Sequence, residues 1–470
     1  MDSFDFVVIG AGPAGEAAAY KARQRGASVA VVDRNWFGGS CPHIGCVPSK
    51  SLLNSATRHA CNGGYSWERT SERRDYMVNR PAGAVEPDDR SHVTALEDAG
   101  ATAYRGEARI VGRGRVRIRH AGDDREIEGR HIVVAVGSTS KLPRIGGLTA
   151  LGGDLWTNRE ATLTRELPRS LLVLGGGPTG CELAQVFARF RVPVTIVQSG
   201  PRLLPQDHPR NAEAITFALE RDGVALRTGT RAVGARAGGG QDGAHAIDLD
   251  DGSTVEGHKV LLAVGRDVPL DDLGLEHYGL DTSGRTPFPR DGRLRVADGL
   301  YVAGDAAGPE LHTHQGHYQG ELAVRMALGE RIAPDYRALP RATYTDPEAA
   351  SVGLTLEQAR DQGLDAFELV AEFARTAKGY SVEAETGHVT IVVDRGSREL
   401  VGAAMACPDA SAAIHECVLA IRARVPIDVL AETIHAFPST SRIFNGLFSD
   451  AARALAEDEV GAGKTVGTEA

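Results

Sequence analysis

Two copies of one strand, glycine-turn and helix pattern constrain the fold of this 470-residue chain more than any other feature. In the first copy the apolar run DFVVI leads into GAGPAG, and in the second the run LLVL leads into GGGPTG. Glycines at this spacing allow a pyrophosphate to approach the N-terminus of the helix that follows. The pattern predicts an α/β chain with two Rossmann-like dinucleotide-binding domains. The glycines concerned are Gly10, Gly12, Gly15, Gly175, Gly177 and Gly180.

The residue that ends the second strand differs between the two copies. Asp33 ends the strand VAVVD about twenty residues after the first turn, where an acid is expected to hold a ribose hydroxyl. Gln198 ends the corresponding strand VTIVQ and does not repel a 2′-phosphate. Gln198 therefore favours NADPH, without excluding NADH. Arg202 is either a ligand of that phosphate or a solvated loop residue.

The segment GGSCPHIGCVPSK, residues 38–50, predicts a redox-active disulfide between Cys41 and Cys46. Ser40 is expected to be the N-cap of a helix that continues through Lys50, because a helix N-terminus stabilises the reactive thiolate. Cys46 and Lys50 are spaced i, i+4. They therefore share one helix face, on which both are expected to meet a bound cofactor.

The cysteine pair could also consist of two unrelated core cysteines, or belong to a metal site that uses His43. A structural zinc needs four ligands, and no second cluster follows, so no metal site is predicted. The remaining cysteines have no paired spacing and are expected to be free thiols in a reducing compartment. They are Cys61, Cys181, Cys407 and Cys417.

Composition agrees with a large soluble enzyme of about three domains. The formal net charge is −10 and no run of like charge occurs, which argues against nucleic acid and anionic membranes as partners. No apolar run is long enough to span a bilayer, and the N-terminus enters a strand directly instead of resembling a signal peptide. A cytoplasmic protein with a small-molecule substrate is expected.

The order of these motifs closely resembles that of the pyridine nucleotide-disulfide oxidoreductases, which include dihydrolipoamide dehydrogenase, glutathione reductase and mercuric reductase. The resemblance rests on GAGPAG, GGSCPHIGCVPSK, GGGPTGCELA, YVAGDAAG and the C-terminal segment YTDPEAASVGLT at 344–355. It implies FAD in the first nucleotide domain and NAD(P)H in the second. It also implies a C-terminal α+β dimerisation domain through which the two subunits of a homodimer share each active site.

The same resemblance assigns residues to the cofactors. It implies that Lys50 and Glu182 pair beside the flavin and that Asp305, at the end of a short strand, holds the ribityl chain. Further cofactor contacts are expected at Gly39, Ser40, Lys50, Gly137, Gly265 and Gly304. Electrons are expected to pass from NAD(P)H through FAD to the disulfide, with Cys46 facing the flavin and Cys41 attacking the substrate.

One segment, IHAFPSTSRIF, departs from the family pattern. Disulfide-reducing members carry a His-Pro pair there, with a glutamate five residues after the histidine, as acid and base for the partner's cysteines. Here Phe437 stands at the histidine position and Arg442 at the glutamate position. Ordinary disulfide turnover is therefore expected to be slow. Replacement of the missing histidine by His435 or His43 stays open.

The phenylalanine also resembles that of 2-ketopropyl-coenzyme M oxidoreductase/carboxylase, which cleaves a thioether and shares the letters GGSCPH. Exclusion of a proton donor protects a carbanion, so this mechanism is the alternative. The letters VPSK after Cys46 are those of the disulfide reductases. The extra C-terminal cysteine pair associated with mercuric reductase is lacking, and a non-enzymatic binding protein is disfavoured because both glycine turns and both cysteines are kept.

Residues 65–80, YSWERTSERRDYMVNR, carry four arginines among aromatic residues. An amphipathic helix with solvated arginines is favoured over a site for an anionic substrate. The arginines are Arg69, Arg73, Arg74 and Arg80.

The motifs also divide the chain. An FAD domain formed by residues 1–146 and 267–335 is expected to surround an NAD(P) domain, 147–266. Residues 336–456 are expected to form the dimerisation domain, and 457–470 a flexible tail.

Overall fold

The computed structural model describes residues 1–79, 87–281 and 292–465, with side chains up to residue 457. Arg80 and residues 466–470 of the expected tail lie outside the described residues. Within the described residues, no helix combines the length and the apolar character needed to cross a membrane.

The N-terminal domain is an α/β unit built on the first strand, turn and helix. Its elements are β1 (Asp2–Ile9), α1 (Pro13–Gln24), β2 (Val29–Asp33), α2 (Ser40–His43), α3 (Cys46–Asn62), α4 (Trp67–Asn79), α5 (Arg90–Asp98), β3 (Thr102–Arg105), β4 (Glu107–Gly112), β5 (Arg115–His120), β6 (Asp123–Val134) and β7 (Thr139–Ser140). β1 forms parallel ladders with β2 and β6, and Phe6, Val7 and Val8 are fully buried. Continuous apolar runs are typical of strands covered on both faces, so β1 lies at the centre of the core.

The second domain repeats this arrangement. Its elements are β8 (Leu155–Trp156), α6 (Asn158–Leu163), β9 (Leu171–Leu174), α7 (Pro178–Arg189), β10 (Val194–Gln198), α8 (Pro209–Arg221), β11 (Ala225–Thr228), β12 (Ala232–Arg236), β13 (His245–Leu249), β14 (Thr254–Gly257) and β15 (Lys259–Leu262). A parallel sheet has the order β11-β10-β9-β15-β8, and β12 to β14 form a separate antiparallel sheet. β9, which precedes the second glycine turn, is central as β1 is in the first domain.

After the second domain the chain returns to the first. The returning elements are β16 (Arg266–Asp267), β17 (Arg295–Ala297), β18 (Leu300–Val302) and α9 (Thr313–Ala327). β16 pairs with β7, and β18 adds to the first sheet as a parallel neighbour of β6. That sheet has eight strands, in the order β17-β18-β6-β1-β2-β3, with β5 pairing to β6 and β4 to β5. The first sheet is therefore completed by a strand that follows the second domain.

The C-terminal domain is an antiparallel sheet with helices packed on it. Its elements are β19 (Pro340–Thr343), β20 (Glu348–Gly353), α10 (Leu356–Asp361), β21 (Ala366–Glu372), α11 (Ala377–Ser381), β22 (His388–Asp394), β23 (Glu399–Cys407), α12 (Ala410–Ala413), α13 (His415–Ala423), α14 (Ile427–Glu432) and α15 (Ser441–Thr465). The strand order is β19-β20-β23-β22-β21, and Met405 packs in one buried cluster with Phe444 and Phe448. The predicted fold class, two Rossmann-like domains and an α+β domain, is confirmed.

The C-terminal helix is longer than the sequence indicated. α15 extends over Ser441–Thr465, so residues 457–465 of the expected tail are helical.

Candidate active site

The first glycine turn fits the strand end tightly. Gly10 has φ +104°, and a Cβ on it would lie 2.2 Å from the carbonyl oxygen of Ala135. A Cβ on Gly15 would lie 1.8 Å from the carbonyl oxygen of Gly10. Gly12 is the N-cap of α1, and a Cβ there would have only Gly39 Cα, at 3.8 Å, as a neighbour. No side chain therefore stands between the helix N-terminus and a ligand phosphate.

The second turn has the same construction. Gly175 has φ +107°, and a Cβ on it would lie 2.3 Å from the carbonyl oxygen of Ala263. A Cβ on Gly180 would lie 2.1 Å from the carbonyl oxygen of Gly175, and Gly177 is the N-cap of α7. The two turns are thus built on the same backbone contacts.

Asp33 and Gln198 occupy equivalent positions at the two turns. The Ala11 N–H donates to Asp33 Oδ2 at 2.7 Å, and the Gly176 N–H donates to Gln198 Oε1 at 2.9 Å. Burial raises the pKa of Asp33. Arg202 donates to two backbone carbonyls of its own loop, at 3.0 and 3.1 Å. The second turn therefore presents a neutral amide where the first presents a carboxyl group.

The cysteine segment forms two helices where one was expected. Ser40 is the first residue of the short α2, whose N-cap is Gly39, so the prediction of Ser40 as N-cap of the cysteine helix is wrong. α3 begins at Cys46, with Gly45 as its N-cap. Pro48 explains the break, because proline is tolerated in a first helical turn but disrupts a helix interior. Cys46 itself thereby lies at a helix N-terminus, where a thiolate is stabilised.

Cys41 and Cys46 are free thiols in contact with each other. A hydrogen bond from Cys41, assisted by Thr313 and the Lys50 ammonium, lowers the pKa of Cys46 to about 6. The same sharing of one proton, together with burial, raises the pKa of Cys41. Cys46 Sγ lies 3.5 Å from Thr313 Oγ1. The proton that the pair shares is therefore held more tightly by Cys41 than by Cys46.

Lys50 and Glu182 form an ion pair beside the thiols. Lys50 Nζ lies 2.7 Å from Glu182 Oε2, and the Tyr344 N–H donates to Glu182 Oε1 at 3.0 Å. Lys50 Nζ also lies 4.6 Å from the centre of the Tyr344 ring. Burial alone would lower the pKa of Lys50, but the Glu182 carboxylate outweighs it and the pKa is raised. This contact joins α3, α7 and the start of the C-terminal domain.

Asp305 is held by Ser138, which Arg266 holds in turn, and the sequence analysis assigned neither residue. Ser138 Oγ donates to Asp305 Oδ2, and Arg266 Nε donates to Ser138 Oγ at 2.6 Å. The signal was present, because Ser138 and Arg266 directly follow the glycines of two similar strand-to-glycine elements. The glycines before these three residues have positive φ: Gly137 (+65°), Gly265 (+115°) and Gly304 (+71°).

Phe437 and Arg442, where the chain departs from the family pattern, lie on the surface of the single chain. Phe437 is 73% exposed. Arg442 is exposed and hydrogen-bonds to Asn445 Oδ1. A phenyl ring and a guanidinium group both lack a site that accepts a proton near neutral pH.

His435 has both ring nitrogens engaged. Nε2 lies 2.6 Å from Glu416 Oε1 and Nδ1 lies 2.9 Å from the Thr433 carbonyl oxygen. Both ring nitrogens of His435 are therefore occupied by partners on its own chain.

His43, the last residue of α2, is buried. Its Nε2 lies 2.9 Å from the Phe37 carbonyl oxygen, and its Nδ1 has no hydrogen-bond partner among the described residues. Burial lowers the pKa of His43. Among the residues that the structure describes, no group of three or more potential ligands could hold a metal ion.

The arginines of α4 divide into two kinds. Arg74 is fully buried, and it bonds to Asp75 Oδ1 at 2.8 Å and to the Thr162 carbonyl oxygen at 2.6 Å. The expectation of a solvated arginine is therefore wrong for Arg74, which ties α4 to the second domain. Arg69 and Arg73 are exposed and line a cleft of about 820 Å³.

The cleft extends along α3 and α4 from the thiols. Cys46, Val47 and Lys50 line one part of it, and Arg58 and Tyr65 line another together with the α4 arginines. The sequence analysis did not single out Arg58. The available signal was its position twelve residues after Cys46 on the same helix.

Comparison with known proteins identifies the family. The pyridine nucleotide-disulphide oxidoreductase family matches residues 4–321, and its dimerisation domain matches residues 339–447. A dihydrolipoyl dehydrogenase of Halobacterium salinarum is 31% identical over 466 residues, covering 93% of this chain and 94% of the relative.

Solved structures agree. One similar structure is the Cu(II) complex of a cysteine-to-serine variant of RclA, the HOCl-induced flavoprotein disulfide reductase from Escherichia coli. It superposes with a TM-score of 0.85 at 25% sequence identity, and the match covers 96% of this chain and 99% of that chain. LpdA from Mycobacterium tuberculosis superposes with a TM-score of 0.82 at 27% sequence identity, and the match covers 97% of this chain and 100% of LpdA. The chain belongs to the pyridine nucleotide-disulphide oxidoreductase family and is an NAD(P)H-dependent flavoprotein oxidoreductase that uses FAD.

Proposed function

We propose that this enzyme passes electrons from NAD(P)H through FAD to the Cys41 and Cys46 couple, and from there to a disulfide or another electrophilic substrate. The observation that carries the proposal is the contact between the two thiols, with a Cys46 pKa of about 6 beside Lys50. One thiolate and one thiol in contact are the two-electron-reduced form of a disulfide. This proximity supports a couple that alternates between a dithiol and a disulfide.

The residues fit both cofactors. A Cβ on Gly39 would lie 2.6 Å from Gly12 Cα, so the cysteine segment approaches the first turn as bare backbone and leaves room for a pyrophosphate. When bound, FAD accepts a hydride from NAD(P)H and delivers two electrons to a disulfide. We assign FAD to Gly10, Gly12, Gly15, Asp33, Gly39, Ser40, Lys50, Gly137, Gly304 and Asp305. We assign NAD(P)H to Gly175, Gly177, Gly180, Gln198 and Gly265.

The chemistry with a disulfide substrate follows from the two thiols. Cys41 loses its proton and attacks one sulfur of the substrate, which forms a mixed disulfide and releases one thiolate. Cys46 then attacks the Cys41 sulfur, which restores the internal disulfide and releases the second thiolate. Lys50, paired with Glu182, holds positive charge near the Cys46 thiolate. The raised pKa of Cys41 means that this first proton needs an acceptor.

Phe437 stands where the family's histidine would accept the Cys41 proton, and a phenyl ring accepts none. The C-terminal domain carries exposed apolar residues at Leu419, Ile434 and Phe437, with exposures of 66%, 97% and 73%, as a surface that pairs with a second copy does. We propose a homodimer in which Phe437 and Arg442 face the other subunit's cysteines. Because neither side chain exchanges protons, turnover of simple disulfides is slow.

A second candidate is cleavage of a thioether by the Cys41 thiolate, as in 2-ketopropyl-coenzyme M oxidoreductase/carboxylase. The observation that favours it is the engagement of both nitrogens of His435, which leaves the segment around Phe437 without a free imidazole. An apolar group beside a carbanion product protects it from protonation.

The proposal is tested by anaerobic titration of the purified protein with NADPH. We expect a yellow protein whose two-electron-reduced form shows a long-wavelength thiolate-to-flavin absorbance and two new titratable thiols. Cys46→Ser should abolish that absorbance, whereas Cys61→Ser, at an exposed cysteine, should keep it. A wild-type protein with no reducible disulfide would refute the proposal. A screen of disulfides, quinones, oxygen and thioether ketones for NAD(P)H oxidation then distinguishes the two candidates.

A further inference from the structure

We propose that the cleft between α3 and α4 binds a substrate with an anionic group remote from its reacting end, held by Arg58, Arg69 and Arg73. This inference rests on the proposed function, because it names the class of substrate that approaches the Cys41 and Cys46 couple.

The dimensions of the cleft suit an extended small molecule. Its volume of about 820 Å³ lies within the range usual for small-molecule sites. Cys46 and Arg58 line the same cleft and are twelve positions apart on α3, which is about 18 Å along a helix axis. A substrate whose reacting atoms meet the thiols can therefore place a second group among the arginines.

The charges in the cleft are unbalanced. None of Arg58, Arg69 and Arg73 forms an ion pair with a carboxylate among the residues that the structure describes. Within that part of the chain no acid lines the cleft, and the Lys50 charge is met by Glu182. Three guanidinium groups therefore face one cleft without counter-ions from the described residues.

The lack of a carboxylate partner is not general in this region, because neighbouring arginines have one. Arg74 and Arg165 share the carboxylate of Asp75, at 2.8 and 2.5 Å. Arg69 and Arg73 lie on the same helix as Arg74 without such a partner in the described chain. The unpaired charges thus occur on the side of α4 that faces the cleft.

Tyr65 holds two of the three arginines in position. Its hydroxyl accepts a hydrogen bond from Arg58 Nη1 at 3.2 Å, and its ring centre lies 4.3 Å from Arg69 Cζ. Both contacts leave several N–H donors of each guanidinium unused. Planar guanidinium donors match a carboxylate or a comparable oxyanion in bidentate geometry. The ligand class is therefore an organic mono- or dianion.

Equilibrium binding to the oxidised holoenzyme tests the inference without turnover. The probes are 4,4′-thiodibenzoate, a redox-inert dianion, and its neutral diamide, each measured by titration calorimetry at low and high salt. We expect the dianion to bind about tenfold or more tightly than the diamide at low salt, and the difference to shrink at high salt because exposed charges are screened.

The variants separate charge from structure. Each single Arg→Gln change at the three positions should weaken dianion binding about two- to fivefold, and the triple variant about ten- to a hundredfold. Binding of the diamide should stay within about twofold of the wild type. Arg→Lys at the same positions should restore part of the dianion affinity, since lysine keeps the charge but not the planar fork of donors. Arg331→Gln, an exposed arginine beyond the far end of α9, is the matched control.

Equal affinity for dianion and diamide, or a triple Gln variant with unchanged dianion affinity, would overturn the inference. Flavin content and thermal unfolding of each variant show that it is folded. Failure of the proposed function is a separate result, seen as the absence of reducible thiols on NADPH titration, and it leaves the binding comparison intact.

Discussion

The proton shared by the two thiols leads to a prediction about the pH dependence of the reduced enzyme. The pKa of Cys46 is lowered from 9.0 to about 6, and the hydrogen bond from Cys41 is the largest cause. Three pKa units correspond to about 4 kcal/mol in favour of the thiolate. At pH 7 Cys46 is therefore about 90% thiolate, against about 1% for an unperturbed thiol.

Replacing Cys41 by alanine removes the donor and leaves Thr313 and Lys50 in place. We expect the Cys46 pKa to rise by about one to two units, which lowers the thiolate fraction at pH 7 to between about 10% and 50%. Cys41→Ser keeps a donor at the same position and should shift the pKa less. The sign is fixed, because the thiolate is lost as pH falls through the pKa, and a higher pKa moves that loss to higher pH.

The assay is the pH dependence of the long-wavelength thiolate-to-flavin absorbance. The reduced wild type should lose half of this absorbance near pH 6, the serine variant at a higher pH, and the alanine variant at the highest. Cys61→Ala, at an exposed cysteine, controls for the loss of a thiol elsewhere. Identical midpoints for the alanine variant and the wild type would refute the argument that Cys41 is the donor.

Three further outcomes follow from the structure. Phe437→His combined with Arg442→Glu should raise reduction of simple disulfides about a hundredfold by supplying an oriented imidazole, measured as NADPH oxidation, and an unchanged rate would show that another group moves the proton. Arg74→Met should lower the free energy of unfolding by about 3 kcal/mol because it leaves a buried carboxylate short of a partner, whereas Arg73→Met should change it by less than about 0.5 kcal/mol in chemical denaturation. Gln198→Glu should raise the KM for NADPH about tenfold through repulsion of the 2′-phosphate and leave that for NADH nearly constant, and equal changes for both would contradict the assignment.

The features that the sequence predicted are those set by local geometry. Gly10 and Gly175 are identifiable because their positive φ and their close backbone contacts admit no side chain. Cys46 and Lys50 are identifiable because i, i+4 spacing on a helix places them together whatever the rest of the chain does.

Other features depend on segments distant in the chain. Arg74 is buried because the Thr162 carbonyl of the second domain accepts its hydrogen bond, and no pattern within α4 contains that information. Likewise, Ser138 meets both Asp305 and Arg266 only when three strand ends converge. The Ser40 prediction failed for a local reason, since Pro48 already excludes one continuous helix from Ser40.

The discontinuous first sheet has a consequence for synthesis of the chain. β18 pairs with β6 through Leu300 and Ile132, yet the whole second domain is translated between these two strands. The growing chain must therefore expose the apolar edge of β6 to solvent or to a chaperone until β18 leaves the ribosome, while the contiguous second domain is free to fold first. Protease protection of stalled nascent chains should accordingly appear in the second domain before the first, and the reverse order would show that the N-terminal sheet is stable without its last strand.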